Sequence, residues 1–331
     1  MSETSQNFFK KHDEEGGSRR ILKKWNLRLV GLLAISWSLF QLWYASPLPF
    51  ILDFGKLIDV PARAIHLAFG MSICFLAYPI FKSKRESSIS LFDFLLSIIS
   101  VLSTFYLVID YEGLVYRQGI LAKLNLFGFN IPYELILGSV GILLLLEATR
   151  RAIGTPLVII ALIFLFFSIF GQQMPNLISH QGLSLTRLVG YHWFGGEAIF
   201  GIPISVSVSF IFLFVLFGAT LDAAGGGRYF LNLAFALVGK MRGGPAKAAI
   251  LASGLTGLIS GSSVANTVTT GTFTIPIMKR TGLTPTKAGA IEVAASVNGQ
   301  IMPPIMGAAA FVMAELLGIS YFTVITHAFL P

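Results

Sequence analysis

The stretch Leu258-Ile-Ser-Gly-Ser-Ser-Val-Ala-Asn-Thr-Val-Thr-Thr-Gly-Thr272 decides the reading of this chain, because it is polar where a membrane helix should be apolar. Eight Ser and Thr residues fall between Ser260 and Thr274, with glycines at Gly261 and Gly271. Apolar arms flank it. As helices, Pro245 to Ser260 would rise about 24 Å and Val264 to Met278 about 22 Å, both short of the roughly 30 Å of hydrocarbon that a spanning helix crosses. The expected form is a re-entrant helical hairpin over residues 245–278 that enters and returns on one side. A broken helix over residues 286–318 follows: Thr286 to Val297 is cut by Asn298-Gly-Gln-Ile-Met-Pro-Pro304 before an apolar run resumes at Ile305. Pro303 and Pro304 remove two backbone donors, so local carbonyls lose helical partners. Irregular backbone at membrane depth survives only where protein or a wet cavity satisfies its polar groups, and the functional site is expected at these two breaks.

Composition sets the class. With 54% hydrophobic and 12% charged residues and a mean hydropathy of +0.76 over 331 residues, the chain reads as an all-α polytopic membrane protein. Its formal charge of +8 falls between apolar spans, as cytoplasmic-loop bias would place it, so nucleic acid is not an expected partner. Cys74 stands alone and the five histidines have no ligand spacing, which argues against disulfide or metal frameworks. No Gly-Lys-Ser/Thr phosphate loop is present. Transport would then be powered by an ion gradient or by a separate subunit. No enzymatic motif and no cofactor is expected.

Outward from the hairpin, residues 1–25 read as a polar cytoplasmic tail, and six apolar runs follow: Leu27–Ala45, Ala62–Phe81, Ile89–Ile109, Ile131–Glu147, Ile153–Gly171 and Ile202–Leu221. Each can span. If they alternate, the tail, Lys82-Ser-Lys-Arg85, Arg150-Arg151 and the Arg228–Lys247 region share one side. That side is the cytoplasm, which puts the N-terminus inside and residues 172–201 outside. Leu183, Leu185, Leu188, Val189, Tyr191, Trp193 and Phe194 in the outer segment suit an interfacial helix or a docking surface. The amphipathic stretch Tyr229–Met241, flanked by positive charge, reads as a cytoplasmic arm leading into the hairpin.

Ala249, Ser253, Gly257 and Gly261 repeat every four residues, a small-residue face that lets a neighbouring helix approach closely. Ser260, Ser262, Ser263, Asn266, Thr267, Thr269 and Thr270 supply more oxygen than packing needs, although hydroxyls also bond to helix carbonyls. Such breaks permit coordination of a small hard cation by carbonyls and hydroxyls, with a returning half-helix aimed at an anion. Of the intramembrane carboxylates, Glu292 and Glu315 are possible proton carriers. Their places toward the ends of the two halves favour a cytoplasmic entrance for Glu292 and an external interface for Glu315. Glu147, beside Arg150 and Arg151, reads as structural.

Four strings carry a resemblance: Gly239-Lys-Met-Arg-Gly-Gly-Pro-Ala-Lys247, Ile259-Ser-Gly-Ser-Ser-Val-Ala-Asn266, Thr269-Thr-Gly-Thr-Phe-Thr-Ile-Pro276 and Gly299-Gln-Ile-Met-Pro-Pro-Ile-Met-Gly-Ala-Ala-Ala-Phe311. The chain resembles the fused membrane (permease) subunit of TRAP transporters, most closely the TAXI branch, in which small and large membrane subunits form one chain. The resemblance implies an elevator-type, sodium-driven secondary transporter that takes organic acids (carboxylates) from an extracytoplasmic solute-binding protein at the cell inner membrane. It further implies that residues 26–150 form a small-subunit-like scaffold of about four spans and residues 151–331 the first half of the large transport subunit. The sodium- and substrate-binding candidates it carries over are Ser260, Gly261, Ser262, Ser263, Asn266 and Thr269 in the hairpin. In the break they are Asn298, Gly299, Met302, Pro303 and Pro304. Asn298-Gly299 stands where family members often have Gly-Gly. The family's transport subunit continues into an inverted repeat, so a missing C-terminal half or a second chain is expected.

Two other classes compete with this reading: an ion channel, which wants a symmetric ring of such loops, and a non-transporting scaffold whose interrupted helices serve only packing. Sodium-dependent uptake with the binding protein supplied separates the three. For the hairpin itself, Lys240→Cys and Lys279→Cys are expected to label together from the cytoplasmic side with a membrane-impermeant thiol reagent. Labelling from opposite sides would convert the hairpin into a pair of spans.

Overall fold

Burial divides the helices before topology does: Trp25–Ala45, Leu91–Ile109 and Ile202–Ala223 leave most of their side chains outward, while most of Asp59–Ala77 is buried. The computed structural model describes residues 20, 22, 24–80, 88–117, 120–126, 129–303 and 306–328, with only the backbone of Lys24, Leu126, Phe129, Ile259, Ser260 and Ala265. Most of the expected tail, the Lys82–Arg85 loop and Pro304 lie outside the described residues. The chain falls into two compact units, Met1–Ser205 and Val206–Pro331, dividing within the helix Ile202–Ala223.

In the first unit the long helices are α1 (Lys24–Ala45), α3 (Asp59–Ala77), α4 (Leu91–Ile109), α6 (Tyr133–Ala152) and α7 (Thr155–Ile169), with short helices α2 (Leu48–Ile51) and α5 (Tyr111–Tyr116) between them. Among the described residues, four helices are long and apolar enough to cross a bilayer: Trp25–Ala45, Asp59–Ala77, Leu91–Ile109 and Ile202–Ala223. The other two expected spans are helices of different character. α6 has the length, but Glu134, Glu147, Arg150 and Arg151 charge both its ends, and α7 has only 15 residues. A small antiparallel ribbon, β1 (Leu124–Leu126) with β2 (Phe129–Ile131), precedes α6 and was not expected from the apolar pattern.

The core of this unit is built on α3, α4 and α6. On α4 the small polar residues Ser97, Ser100, Ser103 and Thr104 are buried, and Ser72 on α3 meets Ser97 at 2.6 Å. Ser100 and Thr104 hydroxyls donate to carbonyls a turn back, at 2.7 and 2.9 Å, which lets them sit in apolar surroundings without an unmet group. The segment expected as an interfacial helix departs from that expectation. Helix α8 (Leu185–Val189) runs into a π turn, Gly190–Phe194, and Leu188, Val189, Trp193 and Phe194 are buried in the core. Two glycines of α6 make the room: a Cβ at Gly138 would lie 2.5 Å from Val189, and one at Gly141 2.2 Å from the Trp193 ring. Trp193 donates its indole N–H to the Ser103 carbonyl at 3.3 Å. The aromatic residues thus fill a notch in α6, and their apolar character had two possible destinations, of which packing is realised.

Charge is buried in pairs here. Asp93, 1% exposed, lies between Arg20 and Arg151, accepting from Arg151 Nη1 at 2.6 Å and from Arg20. Arg20, inside the stretch read as tail, is also fixed by its backbone N–H on the Ala77 carbonyl at 2.9 Å. Removing one member of a buried pair strands the other charges, a loss of about 3–5 kcal/mol. Asp93→Asn is therefore expected to lower the thermal unfolding midpoint of the detergent-purified chain strongly. Asp53→Asn, which breaks the solvent-exposed Lys56–Asp53 pair, should change stability by less than about 1 kcal/mol.

Candidate functional site

The second unit holds both breaks. After α9 (Ile202–Val206), a π turn (Ser207–Ile211) and α10 (Phe212–Ala223) come α11 (Gly226–Val238), α12 (Gly244–Ser260), α13 (Ser263–Arg280), α14 (Pro285–Val297), α15 (Ala308–Leu317) and α16 (Tyr321–Ala328). Helices α12 and α13 form the expected hairpin and pack on each other and on α14. The turn is one glycine wide at its sharpest. Gly261 adopts φ +57° and caps α12 with its N–H on the Gly257 carbonyl, a left-handed conformation that a side chain would strain. Thr284 caps α14, its side-chain oxygen accepting from Lys287 N, and Pro285 sits where a helix start tolerates it.

The hairpin and the break in α14–α15 touch backbone to backbone. A Cβ on Gly257 would stand 2.3 Å from Gly299 Cα, and one on Gly261 2.3 Å from the Met306 carbonyl oxygen. The break is a tight turn of its own: Asn298–Gln300 form a 3-10 turn, Met302 N bonds to the Asn298 carbonyl at 2.9 Å, and Gly307 N to the Gln300 carbonyl at 2.7 Å. Met306 takes φ +56°, rare for a residue with a side chain, to redirect the chain into α15. Gln300 Nε2 ties the two breaks together by donating to Ser263 Oγ at 3.0 Å.

Asn266 lies at this meeting point. It is fully buried, and its Nδ2 donates to the Ser253 carbonyl and hydroxyl, each at 2.8 Å. A Cβ on Gly299 would come within 2.9 Å of that Nδ2. Its Oδ1 is buried with no hydrogen-bond partner. A buried amide oxygen left unmet costs about 1–3 kcal/mol, so this is a position poised to take an electropositive ligand.

The eleven sequence candidates separate in space. Gly261, Ser263, Asn266 and Gly299 converge at the contact just described, with Ser262 in the turn between α12 and α13. Met302 borders the contact, its Cε within 2.8 Å of a Cβ placed on Gly254. The Asn298 side chain and Thr269 are exposed, and Pro303 follows the turn half-buried. Ser260 ends α12, its side chain outside the described atoms, as is the whole of Pro304.

Sequence reasoning did not single out the second polar cluster, one turn deeper. Glu292, expected near an entrance, is 0% exposed and held by hydroxyls from the facing helix: Thr274 Oγ1 contacts Oε2 at 2.5 Å and Thr270 contacts Oε1. Ser296 Oγ lies 3.5 Å from Oε1, and Ser253 Oγ 3.4 Å from Ser296 Oγ, which links the cluster to Asn266. The signal was present as two polar i,i+4 pairs, Thr270/Thr274 and Glu292/Ser296, on helices joined by a short loop. Glu315 is exposed.

Residues 140–331 match the family described as Tripartite ATP-independent periplasmic transporter, DctM component. The chain belongs to that family. The DctM match begins inside α6 and covers the hairpin, the break and both polar clusters. The chain is also similar to "Uncharacterized protein YgiK" of Salmonella typhimurium, 32% identical over 178 residues, 54% of this chain and 36% of that protein. It is 32% identical over 100 residues, 30% of this chain and 24% of the relative, to a "Putative TRAP transporter large permease protein" of Haemophilus influenzae. The chain thus spans about a third and a quarter of the lengths of these relatives. No solved structure matches.

Close glycine contact is a condition of this DctM geometry. Gly257→Ala is expected to push the hairpin off the Gly299 turn and cost about 1–3 kcal/mol, read as a lowered unfolding midpoint. Gly289→Ala on α14, where a Cβ meets nothing within 4 Å, should leave stability unchanged or slightly raised.

Proposed function

We propose that the chain is the membrane subunit of a sodium-coupled secondary transporter that imports carboxylates handed over by an extracytoplasmic solute-binding protein. The observation that carries this reading is the orphaned Oδ1 of buried Asn266, where the hairpin meets the Gly299 turn. A hard monovalent cation is the ligand that such an oxygen, with hydroxyls and backbone carbonyls around it, is suited to receive. Family membership supports the transporter class, and the resemblance of the hairpin and break strings supports sodium, the fused TAXI arrangement and an elevator movement of the hairpin unit. On this reading the protein is a multi-pass protein of the cell inner membrane with its N-terminus in the cytoplasm. The binding protein selects the solute, so no residue of this chain names a particular acid.

Uptake into proteoliposomes, using the full-length transporter and its matched binding protein, tests the site. Asn266→Ala is expected to raise the sodium concentration for half-maximal uptake about tenfold, equivalent to about 1.4 kcal/mol, and Ser262→Ala to raise it less. Unchanged sodium dependence in both variants rejects the site, and uptake indifferent to sodium in the unsubstituted protein rejects the coupling ion.

A further inference from the structure

Three buried carboxyl groups in this chain are treated in two different ways. Asp93 has Arg20 and Arg151 against it, and Glu134, 0% exposed, has Arg117 at 2.5 Å together with the Tyr106 hydroxyl at 2.6 Å. Glu292 has no cation. Its described partners are three hydroxyls, those of Thr270, Thr274 and Ser296. The charged side chains on the elements packed around it are Lys247 on α12, Lys279 and Arg280 on α13, and Lys287 on α14, all of them exposed. Beyond them, α11 carries Arg228 and Tyr229. Among the described residues, none forms an ion pair with Glu292. An isolated carboxylate in such a place costs several kcal/mol even after relaxation.

The hydrogens do not balance around a carboxylate either. Thr270 Oγ1 has one hydrogen and two acceptors in reach, Glu292 Oε1 and the Asn266 carbonyl at 2.8 Å. Thr274 Oγ1 likewise lies between Glu292 Oε2 and the Thr270 carbonyl at 3.0 Å. Two hydroxyl hydrogens therefore face four oxygens, and Ser296, at the limit of hydrogen-bond length, is a weak third donor. One more hydrogen, on the carboxyl group itself, raises the contacts that carry a hydrogen from two of the four to three. The acid donates to one threonine oxygen, that threonine donates to its helix carbonyl, and the other carboxyl oxygen accepts from the second threonine.

We propose that Glu292 is a proton-binding site between α13 and α14, occupied in the conformation described here and distinct from the cation position at Asn266. Release breaks the carboxyl O–H bond, leaves the electron pair on the carboxylate and passes the proton to water, since no basic side chain lies in reach. Water reaches the group only when α13 and α14 part, so proton exchange and the separation of these helices are one event. The proton is thereby a ligand of the hairpin unit.

Infrared spectroscopy of the purified full chain in lipid nanodiscs at neutral pH, in H2O and D2O, reads this directly and needs no transport. The expected result is a carboxylic acid carbonyl band that shifts down in D2O and is lost in Glu292→Gln. Thr274→Val keeps the acid and removes one partner, and is expected to move the band to higher wavenumber, which provides a second handle where Glu292→Gln does not fold. Absence of the band in the unsubstituted chain, its persistence in Glu292→Gln, or an unmoved band in Thr274→Val each overturn the proposal. Because none of these outcomes involves sodium or uptake, failure here is distinguishable from failure of the transport reading.

Discussion

The second unit depends on a contact with no side chain in it. Where Gly257 faces Gly299 and Gly261 faces Met306 and Gly307, two interrupted pieces of backbone lie against each other at a distance that even one Cβ would prevent. The contact matters because interrupted helices expose peptide groups, and in apolar surroundings those groups must find partners nearby. Each break answers part of this internally, the hairpin through the Gly261 cap and the α14–α15 break through its own turn bonds. Proximity supplies the rest, and it brings a buried amide oxygen to the same place.

The two units handle buried polarity differently. In the first, charges are neutralised by arginine: Asp93 by two, Glu134 by Arg117, and Glu147 by Arg150 and Arg151, each at 2.7 Å. Such pairs are costly to break and suit a part that keeps its shape. In the second, the buried polar side chains among the described residues are hydroxyls, one amide and one acid, tied by hydrogen bonds of small net worth with no arginine among them.

The hairpin and the break were legible from hydropathy and from Gly, Pro, Ser and Thr alone, and hairpin ends set at 245 and 278 lie close to the helix limits Gly244 and Arg280. The glycine at the turn was legible because few residues accept a left-handed cap. Less of the site was legible. A Ser/Thr-rich helix offers every hydroxyl as a candidate, and only packing shows that Asn266, Thr270 and Thr274 turn inward while Thr269 does not. The fate of Trp193 and Phe194 was equally hidden, since an aromatic cluster serves a lipid interface or a core equally well. Gly138 and Gly141, which open the notch on α6, lie more than 40 residues away in sequence.

By itself the sequence determined that this chain is helical, membrane-embedded and interrupted twice near its C-terminal end, because apolar run length and helix-breaking residues act locally along the chain. Only the tertiary structure decided that the interruptions meet, that Asn266 keeps an unmet oxygen there, and that Glu292 is enclosed by hydroxyls. Those outcomes rest on which faces of α12, α13 and α14 come into contact, and such contact is set by the fit of one helix surface to another, which no single segment specifies.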